Sequence, residues 1–566
     1  MHPTTERTSR GGEAPASVRP LPRHVTMMRR LARQLPRGRF KVAWEPALRV
    51  PDADGSTLLT DHYLPVTAEA CPTVLLRSPY GRGFPWDALY GVAFAEQGFH
   101  VVIQSCRGTA GSGGTFRWCH DEGADGLAAV AWLRRQGWFN GMLGMVGPSY
   151  LGYTQLALAA EAPPELKAMV VQVGMHCPYD GFYPGGVFAL ETALIGGIGT
   201  AYWQRGMLRM MAAATRLQLR YRRTTRTLPL TDAFRKAFGA RLPDSLDWLS
   251  QSERGDPYWQ QIDLSPALGR VTVPTALVGG WYDILLDQTV AQYRALRANG
   301  QEIRLLIGPW THTSMMNEGG TAVFGDSLDW LRRHLCADPL TARPVPVRVH
   351  VGGCGEWRDL PDWPPPSPGQ AWYLHGGGSL SPDPPGESPA TPLRYDPVDP
   401  TPSVGGQVLS RRSGQQVNTA LEARPDVLTF TGPPLAASLE ILGAVQVDLQ
   451  LDVSNRYAHV FARLCDVDPE GRSRNVCDGI RHLSLASPGQ AGAAVVMSPI
   501  AYRFAAGHRV RLQLSGGAFP RFARNTGELL ATGTRLAPTD IAIYHTTERP
   551  SAVLLPASST IMPVPP

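Results

Sequence analysis

The sequence predicts an α/β domain, built on a parallel sheet and interrupted by a helical cap, followed by an all-β sandwich. Three observations carry this. Short apolar runs alternate with helix-forming segments from Thr73 to Leu335, the pattern of a parallel sheet covered on both faces. An Arg- and Trp-rich stretch, 177–265, breaks that alternation. From 341 onward helix signals thin out, and short alternating strands separated by turns take over. Single cores stop growing near roughly 250–300 residues, so a chain of 566 residues must be divided.

Residues 1–40 read as a basic, flexible tail. Nine arginines and Lys41 lie within 1–41 against only Glu6 and Glu13, so the basic balance belongs to this segment and the rest of the chain is slightly acidic. A basic arm can touch acidic surfaces, but a solvated terminus is the simpler expectation.

The first part of the α/β domain, 41–176, follows. Thr73–Leu76 and His100–Gln104 are apolar runs bounded by turn residues, as buried strands are. Ala88–Gln97 between them can form a helix. Asp121–Gln136 places Leu127, Val130, Ala131 and Leu133 on one side of an amphipathic helix. Met142–Val146 is a short buried strand, Leu151–Ala162 a helix, and Lys167–Val173 another strand. The cap occupies 177–265. The α/β domain resumes over 266–340 with strand Pro274–Gly280, helix Asp287–Asn299, strand Ile303–Ile307 and helix Ser327–Leu335. In the sandwich, 341–566, the clearest strands are Val445–Val453, His459–Asp466 and Arg509–Leu514. Residues 361–404 are crowded with proline and read as a rigid surface connector.

A hydrolytic serine needs an exposed Oγ, which a sharp strand–turn–helix elbow with small neighbours supplies. Gly147-Pro148-Ser149-Tyr150-Leu151-Gly152 lies between a predicted strand and a predicted helix. Its second glycine comes one place later than in the common Gly-x-Ser-x-Gly. The serine also needs a base, and the base an orienting carboxylate. Strand Pro274–Gly280 runs into Trp281-Tyr282-Asp283, and strand Ile303–Ile307 into Gly308-Pro309-Trp310-Thr311-His312. Both candidates therefore follow the carboxyl end of a parallel strand, where open α/β sheets place their ligands. The chain order Ser149, Asp283, His312 is that of α/β-hydrolases. Taken singly, Asp283 could be a helix cap and His312 an ordinary loop residue.

With these segments in view, the chain resembles the cocaine esterase / X-Pro dipeptidyl-peptidase family of serine hydrolases. The resemblance runs through Arg77-Ser78-Pro79-Tyr80, Gln104-Ser105-Cys106-Arg107-Gly108, the Ser149 and Asp283 segments, the His312 segment and Ala518-Phe519-Pro520-Arg521-Phe522-Ala523-Arg524-Asn525. It spans roughly 45–560 and implies an α/β-hydrolase domain with a helical cap and a C-terminal jelly-roll-like sandwich. It implies Ser149 as nucleophile, His312 as base, Asp283 as its partner, and an oxyanion hole made by the Tyr150 backbone N–H and the Tyr80 hydroxyl. Ser105 departs from the family, which usually carries Asp there, and an effect on local support is expected. Relatives that take α-aminoacyl groups carry carboxylates just after the catalytic Asp; here Ile284-Leu285-Leu286 is apolar. A substrate ammonium would be desolvated there without a partner, although Asp180 and Glu191 in the cap could compensate. Trp281, Ile284 and Leu285 are the candidate substrate contacts.

Other chemistry is not signalled. The eight cysteines contain no Cys-x-x-Cys pair and read as buried thiols. There is no Walker loop, no dinucleotide fingerprint and no His-Glu-x-x-His. Asp466–Gly471 imitates a calcium loop, but its twelfth position is Cys477 where Glu is required, so a β-turn is expected. No cofactor and no metal are anticipated, and neither nucleic acid nor membrane as partner. Residues 1–30 lack the apolar stretch of a secretion signal, so a cytoplasmic protein is expected. The expected substrate is a small-molecule acyl ester or amide. Acyl transfer or cyclisation through the same acyl-enzyme, cleavage after X-Pro, a non-catalytic binding role and a homodimer stay open.

Overall fold

The computed structural model describes residues 18–557 apart from 33–37, 53, 203–206, 339–344, 529 and 531–532. Apolar runs of six residues, too short for helices and flanked by turn residues, become the centre of an eleven-stranded sheet. Its strands are β1 (Arg19–Pro20), β2 (Val42–Pro51), β3 (Thr57–Pro65), β4 (Thr73–Ser78), β5 (His100–Ser105), β6 (Leu143–Pro148), β7 (Leu166–Gln172), β8 (Thr275–Tyr282), β9 (Ile303–Thr311), β10 (Val347–Val351) and β11 (Glu356–Leu360). Their order is β1-β2-β3-β5-β4-β6-β7-β8-β9-β10-β11. From β5 across to β10 neighbours are parallel. β1, β2, β3 and β11 add antiparallel edges. Every residue of β4, β5 and β6 is buried, as two-sided cover by helices requires.

The predicted helices appear with shifted ends. Glu122–Leu133, Tyr150–Ala160, Leu286–Ala298 and Gly320–Leu335 are α-helical. The segment expected to be helical at 88–97 is a π-helix over Asp87–Val92 that tightens to α at Ala93–Ala95. The cap is helical, from Pro178–Phe182 to Ser265–Leu268, and Met207–Arg226 is its longest element. Trp248 and Trp259 of the cap join Phe182, Tyr183 and Phe188 in one buried cluster that also takes in Trp118 and Tyr150 of the α/β domain.

The C-terminal part is all-β, jelly-roll-like, with a second large sheet that contains Gln446–Val453, Tyr457–Val467 and Arg509–Ser515. Leu439–Gly443 and Ile500–Phe504 pair separately. Asp468–Gly471 is a turn, closed by Gly471 N–H to Asp468 O at 2.9 Å.

Three expectations need correction. The basic tail was expected to stay free through residue 40, yet β1 pairs with β2, and Arg23–Leu31 is a helix whose buried Arg29 binds Glu96 at 2.7 Å. A buried guanidinium paired in this way is fixed to the body; residues 1–17 lie outside the described residues. The α/β sheet does not end at 340: β10 adds to β9 in parallel and β11 closes the edge. The proline-rich 361–404 is not a plain connector, because Gln370–His375, Ser379–Ser381 and Thr391–Tyr395 are strands of the second sheet. Thr391–Tyr395, which holds Pro392, lies at that sheet's edge, where a missing N–H costs no ladder bond.

Candidate active site

Ser149 sits at the turn between β6 and the helix Tyr150–Ala160, with φ 59° and ψ −121°. A non-glycine residue at positive φ is strained, and the neighbourhood over-determines it. Ser149 N–H donates to Gln172 O at 2.9 Å, and Gly152 N–H to Ser149 O at 2.8 Å. The displaced glycine has a steric reason. A Cβ on Gly152 would lie 2.8 Å from Gly174 Cα, so the helix approaches the end of β7 backbone to backbone, and only glycine fits.

Asp283 and His312 come together from the ends of β8 and β9. His312 Nδ1 and Asp283 Oδ1 are 2.6 Å apart, with Asp283 fully buried and His312 at 13% exposure. The two loops can meet because Gly280 has no side chain: a Cβ there would lie 2.3 Å from Trp310 O. His312 Nδ1 engages Asp283, which leaves Nε2 for chemistry. Among the described residues no hydrogen bond joins His312 to Ser149. The Tyr80 phenol faces the Ser149 side chain, which works against burial to lower the phenol's pKa.

Tyr80 follows β4 and stacks on Trp86 with ring centroids 6.0 Å apart. Burial pushes its phenol well above the ordinary range, so it stays a donor at neutral pH. Tyr150 is the first residue of its helix, so its backbone N–H has no intrahelical acceptor. Its side chain points away into the protein. The phenol donates to Glu122 at 2.8 Å and accepts Cys119 N–H at 2.9 Å.

Of the candidate substrate contacts, Leu285 is buried and Ile284 half-buried, and both pack on the aromatic cluster under the cap with Tyr80, Phe182, Trp118, Trp259 and Phe519. Trp281 lines the cleft beside the His312 loop, and its side chain is buried in the main core, where its N–H donates to His350 O at 2.6 Å and its ring lies tilted against Trp363. Of the two cap carboxylates, one is ion-paired. Asp180 is paired with Arg254, and Glu191 is buried beside Tyr221. Ser105, the family departure, accepts Arg82 at 2.6 Å, and Arg82 also binds Asp61 at 2.9 Å.

Sequence reasoning missed the contribution of the sandwich. Gln407 donates to Trp281 O at 3.5 Å, Ser498 to Asp287 at 3.0 Å, and Phe519 and Ala523 enter the aromatic cluster. A cleft of about 730 Å³ flanks the His312 loop between Thr311, Thr313 and the sandwich loop Leu409–Gln415. A second cavity of about 300 Å³, lined by Ile284, Asp287, Gln288, Ser498 and Arg521, lies where the three parts meet. Only the 518–525 segment carried a sequence signal. Among the described residues no group of three or more His, Cys, Asp or Glu could hold a metal ion, and no helix is long and apolar enough to cross a membrane.

A serine on a strained elbow at the end of β6, with an acid–imidazole pair at the ends of β8 and β9 of the same sheet, is the arrangement of α/β-hydrolases, and comparison with known proteins narrows that class. Residues 54–314 match the model of the X-Pro dipeptidyl-peptidase (S15) family, and residues 341–554 match its C-terminal non-catalytic domain. Cocaine esterase of Rhodococcus sp. (strain MB1 Bresler) is 31% identical over 575 residues, covering 92% of this chain and 99% of that protein. The chain belongs to this cocaine esterase / X-Pro dipeptidyl-peptidase family and is a serine hydrolase. Its fold is shared with an α-amino acid ester hydrolase (TM-score 0.75, 22% identity, 92% of this chain and 97% of the other). It is also shared with an aminopeptidase from a marine sediment archaeon, Thaumarchaeota archaeon (TM-score 0.77, 19% identity, 97% and 99%).

Proposed function

We propose that the protein hydrolyses an ester of an apolar acyl group through an acyl-Ser149 intermediate. The observation that carries this is the 2.6 Å His312–Asp283 bond at the ends of β8 and β9, with Ser149 strained on its elbow at the end of β6. Ser149 Oγ attacks the carbonyl carbon and His312 Nε2 takes its proton. Asp283 holds the imidazolium that forms. The oxyanion accepts from Tyr150 N–H and Tyr80 O–H. Collapse expels the alkoxide, which leaves as the alcohol with the proton from His312, and a water activated by His312 then frees the acid.

The acyl side is apolar. Ile284, Leu285 and the aromatic cluster present apolar side chains to the acyl group, and the cap's Asp180 is neutralised by Arg254. An amino-acid ester would lose its ammonium hydration there without compensation. The test is a panel of p-nitrophenyl esters of apolar acids, amino-acid anilides and Xaa-Pro substrates. Turnover of the apolar esters is expected to lead. Preference for a free α-amino group would overturn the acyl assignment, and partition of the acyl group to added amines in preference to water would make the enzyme a transferase.

A further inference from the structure

Tyr150 does its proposed work through its backbone, yet its side chain terminates in a buried carboxylate. Glu122 is 3% exposed. One of its oxygens accepts the Tyr150 phenol at 2.8 Å, and the other pairs with Arg77 at 2.9 Å. Arg77 is fully buried. It donates through Nε to Gln104 at 2.9 Å and through Nη1 to Glu122 O at 2.6 Å. Arg77 lies in β4, three residues before Tyr80, whose N–H donates to Ser78 Oγ at 3.1 Å. Both proposed oxyanion donors therefore hang from one ion pair: Tyr150 by its phenol, Tyr80 by the strand that carries Arg77.

Burying this pair is costly in a low-dielectric interior, and packing alone does not call for it. A phenylalanine at 150 would fill the same aromatic cluster, formed with Phe116, Trp118 and Tyr153. What the pair adds is direction. The phenol is held from two sides, by Glu122 and by Cys119 N–H at 2.9 Å, so the first turn of the helix cannot rotate. Ser149, immediately before, is strained at φ 59° and would otherwise relax by turning that same peptide. Among the described residues Glu122 makes no hydrogen bond to Ser149 or His312, so its role is placement and not proton transfer.

We infer that Glu122, backed by Arg77, is a positioning residue that holds the Tyr150 peptide N–H at the oxyanion hole. The inference rests on Ser149 as nucleophile and Tyr150 N–H as donor. Tyr150→Phe removes the clamp and keeps the N–H; Glu122→Gln keeps the side-chain volume and removes the charge. Each is expected to lower kcat about ten- to a hundredfold with KM within about twofold, less than the loss of a whole donor. The double variant should be little worse than either single one, because both cut the same link. A boronic acid that forms a tetrahedral adduct on the serine should lose affinity by the same factor as kcat. A purely structural role predicts otherwise: a lower Tm, with kcat and boronate affinity within twofold of wild type. That result would overturn the inference. If Glu122→Gln does not fold, Tyr150→Phe alone decides. Ser149→Ala is run beside them: turnover by that variant would sink the nucleophile assignment itself, whereas a dead Ser149→Ala with fully active clamp variants would sink only the role of Glu122.

Discussion

Two charge networks, each with buried members, are built with opposite balances. Under the Ser149 elbow, Arg77 and Arg107 face Glu122, Asp125, Asp52 and Asp54, so carboxylates are in excess. In the sandwich, Asp478 sits between Arg463 at 2.8 Å and Arg521 at 2.6 Å, so guanidinium groups are in excess. The acids respond accordingly. Burial, only partly offset by Arg77 and Arg107, pushes Asp125 up to about 6. Burial also works to raise Asp478, but Arg521 and Arg463 outweigh it and hold that carboxyl below its usual range. The two networks serve different ends. The first grips β4 and the helix start that carry Tyr80 and Tyr150. The second fixes the 518–525 segment, whose Arg521 carbonyl accepts Glu191 N–H of the cap at 3.3 Å. One orients donors for chemistry, and the other joins the sandwich to the cap.

That contrast can be broken in three ways. Tyr80→Phe, on the first side, is expected to cost about 10²–10³ in kcat with little change in Tm. A loss smaller than about threefold in steady-state kinetics would remove Tyr80 from the oxyanion hole. Asp478→Asn, on the second side, should cost about 3–5 kcal/mol of stability, since it strands two buried guanidinium groups. Urea unfolding reads that loss, while the labelling rate of Ser149 under folding conditions should stay within a few-fold. A collapse of labelling without loss of stability would mean that the sandwich network also serves the chemistry. Asp125→Asn carries the smallest effect. With a folded value near 6 against about 3.8 unfolded, the native state binds the extra proton between these values, so wild-type stability falls as pH rises through that window. The variant, neutral throughout, should match wild type near pH 4 and exceed it at pH 7 by about 1 kcal/mol or more. Destabilisation at pH 7 would show that the Arg77 and Arg107 pairs outweigh burial.

The acid limb of stability has a separate source. His176 and His100 are buried and pushed down to about 4, chiefly by desolvation. The unfolded chain takes up their protons first, so this part of the stability is lost as pH falls from about 6.5 toward 4.

Much of the site was legible because buried parallel strands announce themselves as apolar runs. Once β6, β8 and β9 are placed, Ser149, Asp283 and His312 fall at their carboxyl ends. The strands in 361–404 were hidden by proline, which an edge strand such as Thr391–Tyr395 tolerates. The direction of the Trp281 side chain was not legible, because nearness to Asp283 in sequence does not set it. Successive strand residues face opposite sides, and Trp281 turns into the core toward His350. The Glu122 clamp gave one faint signal. Arg77 interrupts the apolar run Val74–Leu76 inside a strand that must be buried, and a buried charge demands a partner. Which partner it finds, across 45 residues to Glu122, is decided only by the fold.

Intact-mass measurement during turnover of a slowly deacylating p-nitrophenyl ester tests the central claim most directly. The wild-type protein should gain the mass of one acyl group, located on the peptide that contains Ser149, and Ser149→Ala should gain none. An adduct on another residue, or full turnover by Ser149→Ala, would contradict the account.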